Sequence, residues 1–125
     1  MNNDATMTAA PGAWQVICLC ADWCGTCREW QPQLAALACG RPHVRFAWVD
    51  VEDQSEAVGD VDIETFPTLL IACGTQPRFF GPVLPHINHI ERLLDTLQKD
   101  EWAGLVLPGS KELLSRLQNT GLKLI

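Results

Sequence analysis

Basic residues and long apolar runs are both scarce in this sequence of 125 residues. Nine residues are Lys or Arg, against fifteen that are Asp or Glu, and the basic residues are scattered along the chain. The net charge of −6 and the isoelectric point of about 4.8 argue against nucleic acid or an anionic membrane surface as a partner. The apolar runs are far shorter than the ~20 residues that a membrane-spanning helix needs.

An export signal is also lacking at the amino-terminal end. Residues 1–13 contain no Lys or Arg and no apolar segment, and Pro11 and Gly12 interrupt them. We therefore expect a cytoplasmic protein, in a compartment where thiols are mostly reduced. For such a protein, six cysteines favour redox chemistry over the disulfide scaffold that they would suggest in a small secreted domain.

Two of the cysteines, Cys24 and Cys27, form a C-x-x-C pair between an apolar run and a helical pattern. The run over residues 14–21 predicts a strand that leads into the pair. Cys24 would then face the unpaired N–H groups and the positive end of the helix dipole, which favour a thiolate. Cys27 lies one turn further on and can attack a mixed disulfide formed at Cys24. This arrangement is suited to thiol–disulfide exchange.

Hydrophobic periodicity and turn residues predict the remaining elements. The pattern indicates strands that alternate with helices, which favours parallel pairing of the first two strands through a right-handed crossover. The expected strands cover residues 14–21, 44–51, 68–72 and 78–80. The expected helices cover residues 24–38, 53–60, 86–99 and 111–118.

Four features, in this order along the chain, resemble the thioredoxin family over about residues 14–97. Trp-Cys-Gly-Thr-Cys at residues 23–27 matches the family's W-C-G-x-C motif, with Thr where the family usually carries Pro. Pro32 stands where the active-site helix of the family has a kinking proline. Thr-Phe-Pro-Thr at residues 65–68 resembles the cis-proline segment, and Gly81 falls where the family has a glycine before its last helix.

The resemblance implies an α/β fold, a three-layer sandwich of the thioredoxin type with about four mixed strands. We expect a mobile segment at residues 1–13, a thioredoxin-like domain at 14–99 and a carboxyl-terminal extension at 100–125. The family usually has a strand and a helix before the strand that leads to its motif, and residues 1–13 are too few to supply both. We therefore expect these two elements to be missing. The apolar extension should cover the sheet edge and face left open, on the same domain or on a second copy in a homodimer.

The resemblance also implies a protein-disulfide reductase that acts in cell redox homeostasis through the Cys24/Cys27 dithiol. Cys24 would be the attacking thiolate, and Cys27 would resolve the mixed disulfide. The implied partners are protein disulfides and an electron donor like thioredoxin reductase, with no cofactor and no metal. The implied substrate-binding residues are Trp23, Gly25, Thr26, Phe66 and Pro67, the last through a cis peptide bond.

Two buried groups of the family's active site are replaced in this chain. Cys18 stands where thioredoxins carry a buried Asp that assists proton transfer at the second cysteine, and Trp48 stands where many have the Lys paired with it. The role of that Asp does not carry over, so we expect Cys27 to attack slowly at neutral pH. Cys18 and Cys20 lie on one face of their strand. Either both are small apolar side chains that fill the core, or a third thiol near the site traps a disulfide.

Other functions stay open from the sequence. Cys18 and Cys20 could complete a zinc site with the C-x-x-C pair, although two thiols on a buried strand do not reproduce the geometry of a zinc knuckle. The chain could also be a binding or chaperone module that uses the surface around Trp23 and Phe66 without turnover. Seven acidic residues within residues 50–64 indicate either a solvated surface or an acidic rim that selects basic partners.

Overall fold

The computed structural model describes residues 13–21, 23–59, 61, 63, 65–99, 105–120 and 123–124. Its strands are β1 (Trp14–Cys20), β2 (Val44–Asp50), β3 (Thr68–Cys73), β4 (Gln76–Pro82) and the short β5 (Lys123–Leu124). Its helices are α1 (Gly25–Gly40), α2 (Ser55–Val58), α3 (Ile87–Lys99) and α4 (Ser110–Thr120). None of the helices in the described ranges is long and apolar enough to cross a membrane.

Strand β1 lies at the centre of a mixed sheet with the order β4-β3-β1-β2-β5. It pairs in parallel with β2 and antiparallel with β3, and β4 pairs antiparallel with β3. Helix α1 supplies the crossover that a parallel pair needs. Four strands therefore form the main sheet, as the sequence predicts, and β5 extends it by an antiparallel pairing with β2.

Successive side chains of β1 point to opposite sides of the sheet, and both sides are buried. Val16, Cys18 and Cys20 belong to the apolar core that α1 and α3 cover. Ile17 and Leu19 belong to a second core, which α2 and α4 cover. The result is the predicted three-layer sandwich, with the sulfur-bearing side of β1 facing α1.

Helix α1 buries one stripe of side chains and continues past a proline. Trp30, Leu34 and Leu37 are the buried positions after the first turn, at the spacing that the sequence predicts. Pro32 lies inside the helix, where it has no N–H group to donate to the preceding turn. The helix ends at Gly40, after which the Arg41 N–H group donates to the Ala38 carbonyl.

Helix α2 is shorter than the predicted helix over residues 53–60. Its last residue, Val58, precedes Gly59, which has a positive φ of 63° and so ends the helix. Arg116 of α4 donates to the carbonyls of Ala57 and Val58, at 2.6 and 3.2 Å. A side chain of α4 thus donates to carbonyl groups at the end of α2, where the helix itself supplies no further N–H donors.

The chain after α3 lies against both edges and one face of the sheet. Residues 105–107 run along β4, where the Phe80 N–H group donates to the Leu105 carbonyl and the Leu107 N–H group donates to the Phe80 carbonyl. Helix α4 then crosses the face that carries Ile17, and β5 pairs with the opposite edge strand, β2. The expectations for residues 1–12 and 100–104 lie outside the described residues.

Because Leu113 of α4 is fully buried in the second core, we expect Leu113→Ala to lower the free energy of unfolding by about 2–5 kcal/mol. Leu84→Ala makes the same chemical change at a side chain that is 64% exposed, and it should change stability by less than about 0.5 kcal/mol. Urea denaturation of both variants measures the difference. Equal stabilities would mean that α4 does not contribute to the core in solution.

Candidate functional site

The C-x-x-C pair lies where β1 ends and α1 begins. Cys24 is the N-cap residue of α1, with an extended backbone conformation. Its N–H group donates to the Ala21 carbonyl at 3.0 Å, and its own carbonyl accepts the first helical hydrogen bond from Arg28 at 3.1 Å. The Cys24 side chain makes no capping hydrogen bond and is partly exposed. A thiolate at this position would face the unpaired N–H groups of the first turn.

Cys27 forms a disulfide with Cys20, and Cys24 keeps a free thiol. Cys20 is the last residue of β1 and Cys27 lies in the first turn of α1, with their Cα atoms 5.9 Å apart. Both side chains are fully buried in the core beneath α1. Cys20 was not among the site residues expected from the sequence. Its only signal there is the alternation of β1, which places Cys20 on the side that α1 covers.

Trp23 and Phe66 form an aromatic rim beside the pair. Trp23 is 62% exposed, and its ring packs edge-to-face with the Phe66 ring, with the centroids 5.8 Å apart. Its indole N–H group donates to the Glu52 carboxylate at 2.9 Å. The contact joins the turn before α1 to the segment before β3, two parts of the chain that the sequence separates widely.

Residues 65–68 follow the resemblance in their backbone. The Phe66–Pro67 peptide bond is cis, and Pro67 is buried. The Pro67 carbonyl accepts from the Val83 N–H group at 3.1 Å, and the Thr68 hydroxyl donates to the Thr65 carbonyl at 2.6 Å. The first bond ties the segment to the residue after β4, and the second closes the turn that leads into β3. The two residues between the cysteines, Gly25 and Thr26, are exposed at the same surface.

Cys18 lies in an apolar part of the core near the C-x-x-C pair. Cys18 lies opposite Trp48 in the parallel register of β1 and β2, and both side chains are buried. Burial raises the pKa of the Cys18 thiol from 9.0 to about 12, and an interaction with the Trp30 side chain opposes this in part. Cys18 is therefore protonated at neutral pH. It cannot replace a carboxylate as an acceptor of the Cys27 proton.

Cys20 and Cys27 are bonded to each other in a disulfide, so neither is a free thiolate that could bind zinc in this state. Within the described ranges, no group of three or more His, Cys, Asp or Glu residues is placed to hold a metal ion. Two further thiols lie outside the pair. Cys39 is exposed near the end of α1, and Cys73 is partly buried at the end of β3.

Comparison with known proteins identifies the family. The sequence model of the thioredoxin family, described as "Thioredoxin", matches residues 6–82, which is more than half of the chain. The chain belongs to the thioredoxin family. The matched range contains the C-x-x-C pair and the cis-proline segment, so the family match and the site coincide.

Curated thioredoxins resemble part of this chain. The H-type thioredoxin of Fagopyrum esculentum is 39% identical over 56 residues, which cover 45% of this chain and 48% of the relative. Thioredoxin-3, mitochondrial, of Saccharomyces cerevisiae is 30% identical over 69 residues, which cover 55% and 53%. The chain thus spans about half the length of the curated relatives that it matches.

Solved thioredoxin structures match the fold more extensively. Fasciola hepatica thioredoxin superposes with a TM-score of 0.63 at 27% identity, covering 69% of this chain and 82% of that one. Chlamydomonas reinhardtii thioredoxin f2 gives a TM-score of 0.65 at 21% identity, covering 75% and 87%. The second comparison, at its low identity, supports the fold alone.

The raised pKa of Cys18 predicts how stability depends on pH. In the unfolded chain this thiol ionises near pH 9, whereas in the folded protein it stays protonated up to about pH 12. Its contribution is therefore fully present below pH 9 and is lost as the pH rises from 9 towards 12. Wild type should lose stability relative to Cys18→Ala by up to about 1.4 kcal/mol per pH unit in this window.

Urea denaturation of the reduced proteins at pH 8, 9, 10 and 10.5 measures this slope, because wild type and Cys18→Ala differ only at residue 18. Cys39→Ala is the matched control, since it makes the same change at an exposed thiol and keeps Cys18, and it should lose stability with pH as wild type does. A Cys18→Ala curve that runs parallel to that of wild type would contradict the assignment of Cys18 as a buried, protonated thiol.

Proposed function

We propose that this protein is a thiol–disulfide oxidoreductase that reduces protein disulfides through Cys24 and Cys27. The observation that carries the proposal is the position of Cys24, a free and partly exposed thiol at the N-cap of α1 in a chain of the thioredoxin family. A thiolate there is favoured by the first-turn N–H groups and is accessible to a substrate. The chain spans about half the length of its curated relatives, so its activity does not follow from theirs and is itself proposed.

The reaction starts from the reduced protein. The Cys24 thiolate attacks one sulfur of the substrate disulfide, the substrate S–S bond breaks, and the first substrate thiol leaves. Cys27, deprotonated, then attacks the Cys24 sulfur of the mixed disulfide. The second substrate thiol leaves, and a Cys24–Cys27 disulfide remains. The substrate gains two electrons, which a thiol protein resembling thioredoxin reductase would restore to the dithiol.

The rim residues supply the docking surface for the substrate. Trp23 and Phe66 offer exposed and partly exposed aromatic surface beside Cys24, and Gly25 and Thr26 leave the approach unobstructed. A substrate segment in extended conformation can pair with the backbone at the turn around Phe66 and Pro67, as in strand addition. This surface would also serve a binding or chaperone module, so turnover has to separate the two functions. The proposed compartment is the cytoplasm, where a thiol-based electron donor is available.

The proposal predicts that wild type accelerates the reduction of insulin by dithiothreitol and that Cys24→Ser loses this activity by at least about a hundredfold. Cys39→Ser is the matched control, because it makes the same change at an exposed thiol far along α1, and it should keep its rate within about twofold. Turbidity of the released insulin chains reports the rate. Activity that survives in Cys24→Ser, or a wild type without turnover, would refute the proposed function and favour the binding module.

Because residue 18 is a cysteine and not an acidic residue, we expect the rate at which Cys27 resolves the mixed disulfide to depend on pH. With Cys18 protonated, Cys27 must lose its proton to water or hydroxide before it attacks. The single-turnover rate of mixed-disulfide resolution should therefore rise steeply from pH 7 to pH 9. Stopped-flow fluorescence of the tryptophans with a model disulfide measures this rate, and a flat profile would show that another group already accepts the proton.

A further inference from the structure

Three thiols of this chain converge where β1 meets α1, and solvent reaches them unequally. Cys24 is partly exposed at the N-cap of α1. Cys27, three residues later, shares the first helical turn with Cys24 and is fully buried. Cys20 approaches Cys27 from the end of β1, is also fully buried, and is bonded to it. Cys27 therefore has one cysteine in its own helical turn, near the surface, and a second bonded to it in the core.

We propose that Cys20 is a third redox thiol. It replaces Cys24 as the disulfide partner of Cys27, which leaves Cys24 as a free nucleophile in the oxidised protein. The step follows the reaction proposed for the dithiol and rests on that function. The Cys20 sulfur, losing its proton as it reacts, attacks the Cys27 sulfur of the Cys24–Cys27 disulfide. The bond between Cys24 and Cys27 breaks, and the bond between Cys20 and Cys27 forms.

This exchange is balanced without an external reagent. One disulfide and one thiol exist before the step and after it, so no electrons enter or leave the protein. Cys20 gives up one proton and Cys24, which departs as a thiolate, can take one up, so the step moves a proton between the two cysteines without net loss. The departing thiolate faces the first-turn N–H groups of α1, which stabilise negative charge on the leaving group.

The burial of the Cys20–Cys27 disulfide determines how it can be reduced. Neither sulfur is exposed to solvent, so a soluble thiol cannot reach the bond in the folded protein. Cys24 can reach it by the reverse step, in which its thiolate attacks Cys27 and returns the disulfide to the surface. The core disulfide therefore stores the oxidised state and is opened only through Cys24.

The exchange also enlarges the chemistry of the oxidised protein. A two-cysteine site has no nucleophile left once its disulfide has formed, whereas here Cys24 stays available. It can form a mixed disulfide with a second substrate, and Cys27 cannot resolve it at once because Cys20 holds Cys27. The substrates of this form are protein disulfides that undergo thiol exchange without net reduction, as in disulfide isomerisation.

Cys18 is the natural control for Cys20. It lies two residues earlier on the same side of β1 and is equally buried. It is nevertheless a free thiol opposite Trp48, and burial keeps it protonated. Cys18→Ala and Cys20→Ala thus make the same change in the same core, but only Cys20→Ala removes the disulfide partner of Cys27.

The first experiment locates the disulfide in the oxidised full chain. The protein is oxidised with diamide, its free thiols are blocked with iodoacetamide, and it is cut on the amino side of Asp and after Lys and Arg. A Cys20–Cys27 disulfide joins peptide 4–21 to peptide 22–28, whereas a Cys24–Cys27 disulfide stays within peptide 22–28. We expect the joined pair, with Cys24 alkylated, as the main product in wild type and in Cys18→Ala.

In oxidised Cys20→Ala the joined pair should disappear, and Cys24 should become protected from iodoacetamide within peptide 22–28. An oxidised wild type in which Cys24 is protected and the peptides stay separate would overturn the proposal. Insulin reduction is measured on separate portions of the same proteins, which are neither oxidised nor alkylated. If wild type reduces insulin but protects Cys24, only the third thiol is refuted. If the peptides are joined but no insulin is reduced, the dithiol function is refuted instead.

A second measurement does not depend on substitution of a buried residue. Cys24→Ala changes only the partly exposed thiol, so its Cys20–Cys27 disulfide should form but become resistant to reduction. Its reduction rate in dithiothreitol, followed by the same mass spectrometry, should fall at least about tenfold relative to Cys39→Ala. Equal rates in the two variants would show that the core disulfide opens without Cys24, which contradicts the proposal.

Discussion

The burial of β1 on both faces is the constraint on which the rest of the structure depends. A strand that pairs on both edges and is covered on both sides has no freedom to shift its register, because a shift of one residue would exchange its two faces. Its fixed register places Cys18 and Cys20 under α1, and its end fixes the start of α1 at Cys24. The positions of the sulfur atoms thus depend on the central strand as much as on the C-x-x-C turn.

This placement gives the interior of the site an unusual character for redox chemistry. Cys18 and Trp48, at facing positions of β1 and β2, provide neither a carboxylate nor a cation beneath the pair. Burial favours the neutral thiol at Cys18, so the core can accept a sulfur–sulfur bond more readily than a charge. The polar part of the site is the start of α1, where Cys24 meets both solvent and the first-turn N–H groups. The division of roles that we propose for Cys20 and Cys24 rests on this difference in environment.

Much of the fold could be predicted from the sequence because its signals are local. The strand that leads into Cys24, the buried stripe of α1 and the order of strands and helices follow from periodicity and turn residues. The end of α2 was missed because the positive φ of Gly59 competes with a helical pattern of charged residues. The path of residues 105–107 along β4 depends on contacts between distant parts of the chain, which no local pattern encodes.

The site was predicted less completely than the fold. Trp23 and Phe66 belong to two motifs of the family resemblance, and the structure brings their rings into contact. Their role in substrate binding stays a prediction. The sequence left open a third thiol that traps a disulfide, but it did not predict the bond between Cys20 and Cys27, because that bond depends on the distance between a strand end and a helix turn. The alternation of β1 indicates only that Cys18 and Cys20 face the same side, and it cannot decide which of them meets Cys27.

The central claim, that the start of α1 makes Cys24 the attacking thiol, can be measured directly on the fully reduced protein. Limited alkylation with iodoacetamide near neutral pH, read by mass spectrometry, ranks the six cysteines by reactivity. The account predicts that Cys24 reacts first, ahead of the exposed Cys39 and the partly exposed Cys73, while the buried Cys20 stays protected. Faster alkylation of Cys39 or Cys73 than of Cys24 would contradict it.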